Sequence, residues 1–241
     1  VWGVLFGVLL FGLTILFYDQ ILGVSVLCPG VITMFLGAVL AVFSIDLKRT
    51  LACSSMSQIG FIMTGAGMQG LLGAENALAV RGTLLHMVNH SLIKLVLFMA
   101  AGAIYMNLHK LDLNEIRGFG RKKPLLNFIF LMGVLGIIGM PFWNGYISKT
   151  LIHESIVVFI WEFHDYTFWA RFFQAVEAIF LFSGGLTAAY MTKLYVAIFV
   201  EKNPYNQEKM DSSNGKYMNK ESAFALLGSA LILPALGMLP Y

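Results

Sequence analysis

Three ionisable residues stand four positions apart inside one long apolar stretch. His86, His90 and Lys94 lie within residues 82–106, a stretch long enough to cross a bilayer as one helix. Steps of four keep the three side chains near one helix face, about 6 Å apart along the axis. An amine near the middle of a membrane span is costly, and it usually faces the protein interior on an ion or proton path. The pattern favours a hydrated relay in which imidazoles and an amine exchange protons.

Two other interpretations of the same residues are open. His86 and His90 have the i, i+4 spacing of metal ligands, but the HExxH glutamate is missing and no third ligand is evident. The three residues could also be buried polar groups that bond to neighbouring helices. We favour transport, because three ionisable groups share one stripe at membrane depth.

The composition is that of an all-α integral membrane protein. The chain has 241 residues, of which 58% are hydrophobic and only 12% are charged, and its mean hydropathy is +0.77. Soluble domains carry about 25% charged residues. The net charge of +3 indicates no nucleic-acid partner, since the basic residues lie in short loops between apolar stretches. Cys28 and Cys53 imply no disulfide framework.

About seven transmembrane segments can be drawn along the chain. The fifth is too long for one straight crossing, and it contains Pro141 and Gly145, which favour a break in the helix. We predict that each segment is helical, with boundaries uncertain by a few residues. The segments are residues 1–17, 27–45, 50–72, 82–106, 124–160, 172–200 and 222–240.

The distribution of basic residues predicts the topology. Most of them fall in loops 46–49, 107–123 and 201–221. If the fifth segment crosses once, all three loops lie on one side, which the positive-inside rule makes cytoplasmic. We therefore predict one discontinuous helix, in a bacterial cytoplasmic membrane. A break at membrane depth must be buried in protein or line a cavity, and transporters place ion sites at such breaks.

Other polar residues could support transport. Lys149 follows the break, and Glu154 stands about one turn later. We expect a functional role for Lys149, although a lysine that snorkels to the outer interface is the alternative. Both interpretations are equally open for Lys193, near the inner end of the sixth segment. The remaining candidates could line a water path, although such hydroxyls more often bond to carbonyls of their own helix; they are Ser54, Ser55 and Ser57.

No motif for a cofactor is convincing. Residues 65–70 spell GxGxxG, but no strand precedes them and they lie inside an apolar helix. An iron–sulfur CxxC array, a flavin or nicotinamide fingerprint and a catalytic triad are all missing from the sequence. We therefore expect no cofactor, no metal and no redox catalysis in this chain itself.

Three motifs together resemble a known membrane family. They are DLKRTLACSSMSQIGF at 46–61, LLHMVNHSLIKLVLFMAAGAI at 84–104, and RGFGRKKPL with GMPFWNGYISK within 117–149. The combination is similar to the antiporter-like subunits of respiratory complex I (NADH:quinone oxidoreductase), of membrane-bound hydrogenases and of Mrp-type cation/proton antiporters. The resemblance extends from about residue 1 to 200.

The resemblance implies a fold of two inverted five-helix repeats, each with a broken helix. On this basis residues 1–17 end a preceding helix, residues 27–200 form the second repeat with its break near 141–146, and residues 222–241 add one more helix. We expect the chain to be the carboxy-terminal part of a longer protein, because the glutamate and lysine of the first repeat would precede Val1. One complex I member carries a long lateral helix after its last spans; we expect that member to be the less fitting counterpart, unless the end of the chain is missing too.

The resemblance also implies roles for individual residues. Lys94 corresponds to the central lysine of the second half-channel, and His86 and His90 correspond to the histidines that precede it. Lys149 corresponds to the ionisable residue on the exit side of the break. The charged turn before the serine-rich helix corresponds to Asp46, Lys48 and Arg49.

Three functions remain in view. The first is a proton-translocating subunit of a redox-driven pump, with other membrane subunits as partners and electrons carried elsewhere. The second is an Mrp-type subunit that exchanges sodium for protons with the same residues. The third is a scaffold that transports nothing, in which the lysines would point at lipid headgroups or at isolated partners. Neighbouring genes would separate the first two.

Overall fold

The computed structural model describes residues 20–162, 167–204, 207 and 217–238. Within these ranges the secondary structure is helical, and an isolated bridge between Asp46 and Asp112 is the one extended pairing. The predicted segment 1–17 lies outside the described residues. The helices are α1 (Gln20–Phe43), α2 (Leu47–Leu72), α3 (Ala77–Leu108), α4 (Leu113–Ile116), α5 (Pro124–Ile138), α6 (Asn144–Glu162), α7 (Thr167–Tyr195) and α8 (Lys220–Met238), with a 3₁₀ turn at Gly73–Glu75 and a π turn at Val196–Val200.

Helix length and composition identify fewer membrane spans than the predicted seven. In the described part of the chain, four helices are long and apolar enough to cross a bilayer: α1, α3, Phe168–Val200 and α8. Helix α5 is apolar but shorter. Helix α2 is long enough, but its serines, glutamines and glycines make it less apolar. Most of α2 is buried among the other helices, so Ser54, Ser57, Gln58 and Gln69 face protein.

Small residues bring α1 and α2 into close contact. Gly23, Gly30 and Gly37 recur every seven residues along α1, and Gly60 and Gly67 do so along α2. Each lies against the partner helix, where an added Cβ would press on backbone or Cβ atoms of that helix. Membrane helices use small residues in this way, because close backbone approach supplies the dispersion contacts that hold them together.

The basic loops meet at one end of the bundle. The Leu113 amide donates to the Ile45 carbonyl, and the Gly118 amide donates to the Ala197 carbonyl, each at 2.9 Å. The Arg117 guanidinium also pairs with Glu201 at 3.0 Å. Loops 46–49 and 107–123 and the start of 201–221 therefore lie together, which is the arrangement that the charge distribution predicts.

The fifth segment is interrupted between α5 and α6. Gly139, with φ of +85°, ends α5, and Pro141 lies in the gap before Asn144 begins α6. The gap at 139–143 begins two residues before the predicted one. Gly145 does not break the helix: it lies in the first turn of α6, where a Cβ would overlap the Gly136 carbonyl. Helix α8 packs against one side of the gap, where Gly237 lies directly on the backbone of residues 142–144.

We predict that Gly60→Val destabilises the subunit by about 1–3 kcal/mol, because the side chain would overlap the Met34 backbone and separate α1 from α2. The matched control is Gly228→Val on α8, where an added Cβ meets nothing within 4 Å. Thermal unfolding of the purified complex measures both. Equal midpoints for the two variants would contradict the role given to the glycine contact.

Candidate proton-translocation site

Lys94 reaches from α3 into a polar patch on α2. Its side chain is buried, with the residue 7% exposed. The amine donates to the Leu51 carbonyl at 2.9 Å and to the Ser54 hydroxyl. Both acceptors lie in the first turns of the serine-rich helix. The amine is thus held inside the bundle by a neighbouring helix, as a charge-bearing group at membrane depth requires.

The three candidate serines differ in their partners. Ser54 and Ser55 both donate to the Leu51 carbonyl of their own helix, at 2.8 Å and 3.1 Å, as expected for isolated hydroxyls. Ser57 instead donates across to the Met34 carbonyl of α1 at 2.8 Å. Of these three, Ser54 is the one that also receives the lysine amine.

His86 connects three helices. The residue is 2% exposed, its Nε2 lies 3.1 Å from Gln58 Oε1 on α2, and its Nδ1 lies 2.9 Å from Ser148 Oγ on α6. The ring stacks on His90 with centroids 6.4 Å apart and planes at 14°. His90 is also buried, and among the described residues its Nε2 has no hydrogen-bond partner. The shared face predicted for the two rings is present.

Lys149 lies at the break. Its amine donates at 2.7 Å to the carbonyl of Ile137, one of the last residues of α5, whose carbonyls lack a helical partner. The negative end of the helix dipole adds attraction for a cation there. The same amine lies 5.0 Å from the centre of the Phe61 ring. Because Ser148 precedes Lys149 on α6, His86 and Lys149 approach the same turn.

A pair of amides joins α3 to the start of α6. Asn89 Nδ2 donates to the Asn144 carbonyl at 2.7 Å, and Asn144 Nδ2 donates to Asn89 Oδ1 at 3.1 Å. Both residues are buried. The sequence analysis did not identify them, although Asn89 stands three residues after His86 on the same helix face.

Tyr190 completes the polar set from the side of α7. It is buried, its hydroxyl donates to Thr187 Oγ1 at 3.3 Å, and it faces the side chains of Gln58 and Ser54. The sequence analysis missed Gln58 and Tyr190 as well. We call Lys149, Ser148, His86, Gln58, Tyr190, Ser54 and Lys94 the polar set. Hydrogen bonds join Ser148, His86 and Gln58 within it, and Ser54 to Lys94.

Lys193 lies apart from this set. Its amine donates to the Val42 and Ser44 carbonyls, each at 2.6 Å, and to the Ala41 carbonyl at 3.3 Å. These carbonyls end α1 and lack helical partners. The contact favours a structural role over the transport role that the sequence leaves open.

The other predicted supporting residues also lie outside the set. Asp46 caps the start of α2, where its carboxylate accepts the Arg49 amide at 2.7 Å. The side chains of Lys48 and Arg49 are exposed near this cap. Glu154 is exposed, while its neighbour His153 lies 3.0 Å from Glu177. These residues therefore shape the ends and outer surface of the bundle.

The described residues contain no group of three or more His, Cys, Asp or Glu side chains that could hold a metal ion. Both ring nitrogens of His86 face neutral side chains, those of Gln58 and Ser148. That the chain binds no metal or cofactor stays a prediction.

The family described as NADH:quinone oxidoreductase/Mrp antiporter, transmembrane, matches residues 3–193, which is most of the chain. The chain belongs to this family. Membership accords with the helical fold, the apolar spans and the resemblance carried by the three motifs.

The chain is similar to members of this family that belong to different membrane complexes by name. Formate hydrogenlyase subunit 3 of Escherichia coli K12 is 32% identical over 74% of the chain and 30% of its own length. Putative antiporter subunit mnhA2 of Staphylococcus epidermidis is 27% identical over 92% of the chain and 29% of its own length. A chain of the membrane-bound sulfane sulfur reductase, an archaeal respiratory membrane complex, shares the fold with a TM-score of 0.75 at 22% identity, over 92% of this chain and 33% of that one. The chain thus spans about a third of these relatives.

We predict that Lys193→Met lowers the free energy of unfolding by about 0.5–1.5 kcal/mol, because half-buried carbonyls at the end of α1 lose their donor. The control Lys202→Met removes an exposed amine at the same end of the bundle and should change stability by less than about 0.5 kcal/mol. Chemical or thermal unfolding of the complex compares them. If Lys193→Met kept the native stability but lost ion transport, the structural role would be contradicted and Lys193 would be assigned to transport.

Proposed function

We propose that this chain forms the second half-channel of a proton-translocating membrane subunit in a redox-driven pump of the complex I or membrane-bound hydrogenase kind. The observation that carries the proposal is the position of Lys94. Its amine lies inside the helix bundle against α2, and the other members of the polar set lie between it and a second lysine at a helix break.

Each residue of the set has a suitable chemistry. The ammonium form of Lys94 has three hydrogen-bond donors, and the Leu51 carbonyl and the Ser54 hydroxyl on α2 accept from it. His86 has a bonding partner on each ring nitrogen, and an imidazole can accept a proton at one nitrogen and give one up at the other. Lys149 passes protons outward beside the break, where the end of α5 leaves carbonyls without a helical partner. Repulsion between protonated sites couples their occupancy, since charges in a low dielectric interact strongly.

The proposed function includes the membrane topology of an inverted repeat. Residues 27–200 form the second repeat, α5 and α6 together make one discontinuous crossing, and α2 also crosses. The meeting of the three basic loops at one end of the bundle supports this arrangement. By the positive-inside rule that end is cytoplasmic, in a bacterial membrane.

The partners are the other membrane subunits of a multi-subunit complex. The sulfane sulfur reductase that shares the fold is a respiratory membrane complex, which supports this assignment. Electrons travel through those other subunits, and this chain moves only the ion.

Exchange of sodium for protons is the second candidate function. The relative named as a putative antiporter subunit aligns with 92% of the chain, which favours this alternative. Exchange would use the same lysines and histidines without redox partners. A scaffold without transport is disfavoured, because Lys94 is buried and Lys149 bonds at the break in the same polar set.

We predict that Lys94→Met abolishes proton translocation and leaves the complex assembled, because methionine fills the space but carries no proton. The complete complex is reconstituted in vesicles with a pH-sensitive dye, and redox turnover is measured in parallel. Lys202→Met, which removes an exposed amine, is the control and should pump normally.

Undiminished pumping by Lys94→Met would refute the proposed function. Sodium efflux that needs a proton gradient and no electron donor would replace the pump with the antiporter.

A further inference from the structure

Gln58 lies between the two ends of the polar set. It is 1% exposed, and its Oε1 lies 3.1 Å from His86 Nε2. On the other side it faces the Tyr190 hydroxyl, which also faces Ser54, the partner of Lys94. Its amide oxygen bonds to the histidine, and the amide has no proton that it readily gives up.

The amide oxygen decides which nitrogen of His86 carries hydrogen. An amide oxygen only accepts hydrogen bonds, so Nε2 must be the protonated nitrogen of the neutral ring. Nδ1 is then the bare nitrogen, and it points at Ser148 Oγ at 2.9 Å. In histidine sites the partner of one nitrogen commonly sets the state of the other in this way.

Ser148 can serve both protonation states of the ring. Its hydroxyl has one hydrogen and two acceptors in reach, His86 Nδ1 at 2.9 Å and the Gly145 carbonyl at 3.3 Å. It donates to Nδ1 while the ring is neutral. When Nδ1 gains a proton, the hydroxyl oxygen accepts from it and the hydroxyl hydrogen turns to Gly145. Only a hydroxyl rotation is needed, so the helices do not move.

We propose that Gln58 is a positioning residue that holds neutral His86 in its Nε2–H form, so that Nδ1, on the Lys149 side, is the nitrogen that takes up protons. The effect of this tautomer on transport rests on the proposed function, whereas the assignment of the tautomer does not depend on that function. The charged or titratable groups facing the ring are Lys149 on α6 and His90 on α3.

The test uses the complete subunit in its assembled complex, labelled with ¹⁵N and ¹³C histidine. Solid-state NMR distinguishes the Nε2–H, Nδ1–H and doubly protonated rings. The His86 signal is assigned by its loss in His86→Gln. We expect the wild-type ring in the Nε2–H form.

Two substitutions at Gln58 distinguish the effect of its hydrogen-bond acceptor from the effect of its side-chain shape. Gln58→Met has a similar size but no comparable acceptor, and the ratio of Nε2–H to Nδ1–H should fall about fivefold, as for the loss of one hydrogen bond. Gln58→Glu retains the acceptor and adds a charge, so Nε2 keeps its hydrogen and more of the ring is doubly protonated at the same pH. Both should slow proton translocation.

The matched control is Gln69→Met, a buried glutamine on the same helix about 16 Å further along. It should leave the His86 signal and translocation unchanged.

A wild-type ring with its hydrogen on Nδ1, an unchanged ratio in Gln58→Met, or a ring in Gln58→Glu with no added proton would each overturn the inference. If Gln58→Met does not assemble, the wild-type and Gln58→Glu spectra still decide. Normal pumping by Lys94→Met together with the expected spectra would instead refute the proposed function and leave the tautomer assignment intact.

Discussion

The structure depends on one constraint: inside a bilayer, a polar group must find its partner within the protein. Lys94 meets this constraint at Leu51 and Ser54, in the first turns of α2. A helix with so many polar residues is stable at membrane depth only when other helices surround it. The glycine contacts between α1 and α2 let the two backbones approach closely on one side, and α3 brings the lysine from another.

The same constraint explains how a broken helix persists. The Ile137 carbonyl accepts a hydrogen bond from the Lys149 amine, a pair of amides bonds the start of α6 to α3, and α8 packs against one side of the gap. Lys193 bonds to the end of α1 in the same manner, but it lies outside the polar set. A lysine that donates to the carbonyls at a helix end therefore stabilises that helix end, whether or not it also exchanges protons. Its neighbours determine whether it can also exchange protons.

Family membership and the site give different kinds of information. The relatives include a formate hydrogenlyase subunit and a putative antiporter subunit, which have different names and similar sequences. The polar set in this chain is compatible with a redox-driven pump and with an antiporter, because proton transfer between two lysines is chemically the same in both. Under the proposed function, the energy source would be set by the partner subunits.

The sequence by itself determined the membrane class, the common face of His86, His90 and Lys94, the interruption of the fifth segment, and the loops that meet at one end. These features follow from local periodicity, hydropathy and loop charge. Only the tertiary structure decided that His86 meets Gln58 and Ser148, which are 28 and 62 residues away. Periodicity gives the face of one helix. Which side chains face it depends on the rotation and offset of the neighbouring helices, and close packing sets both.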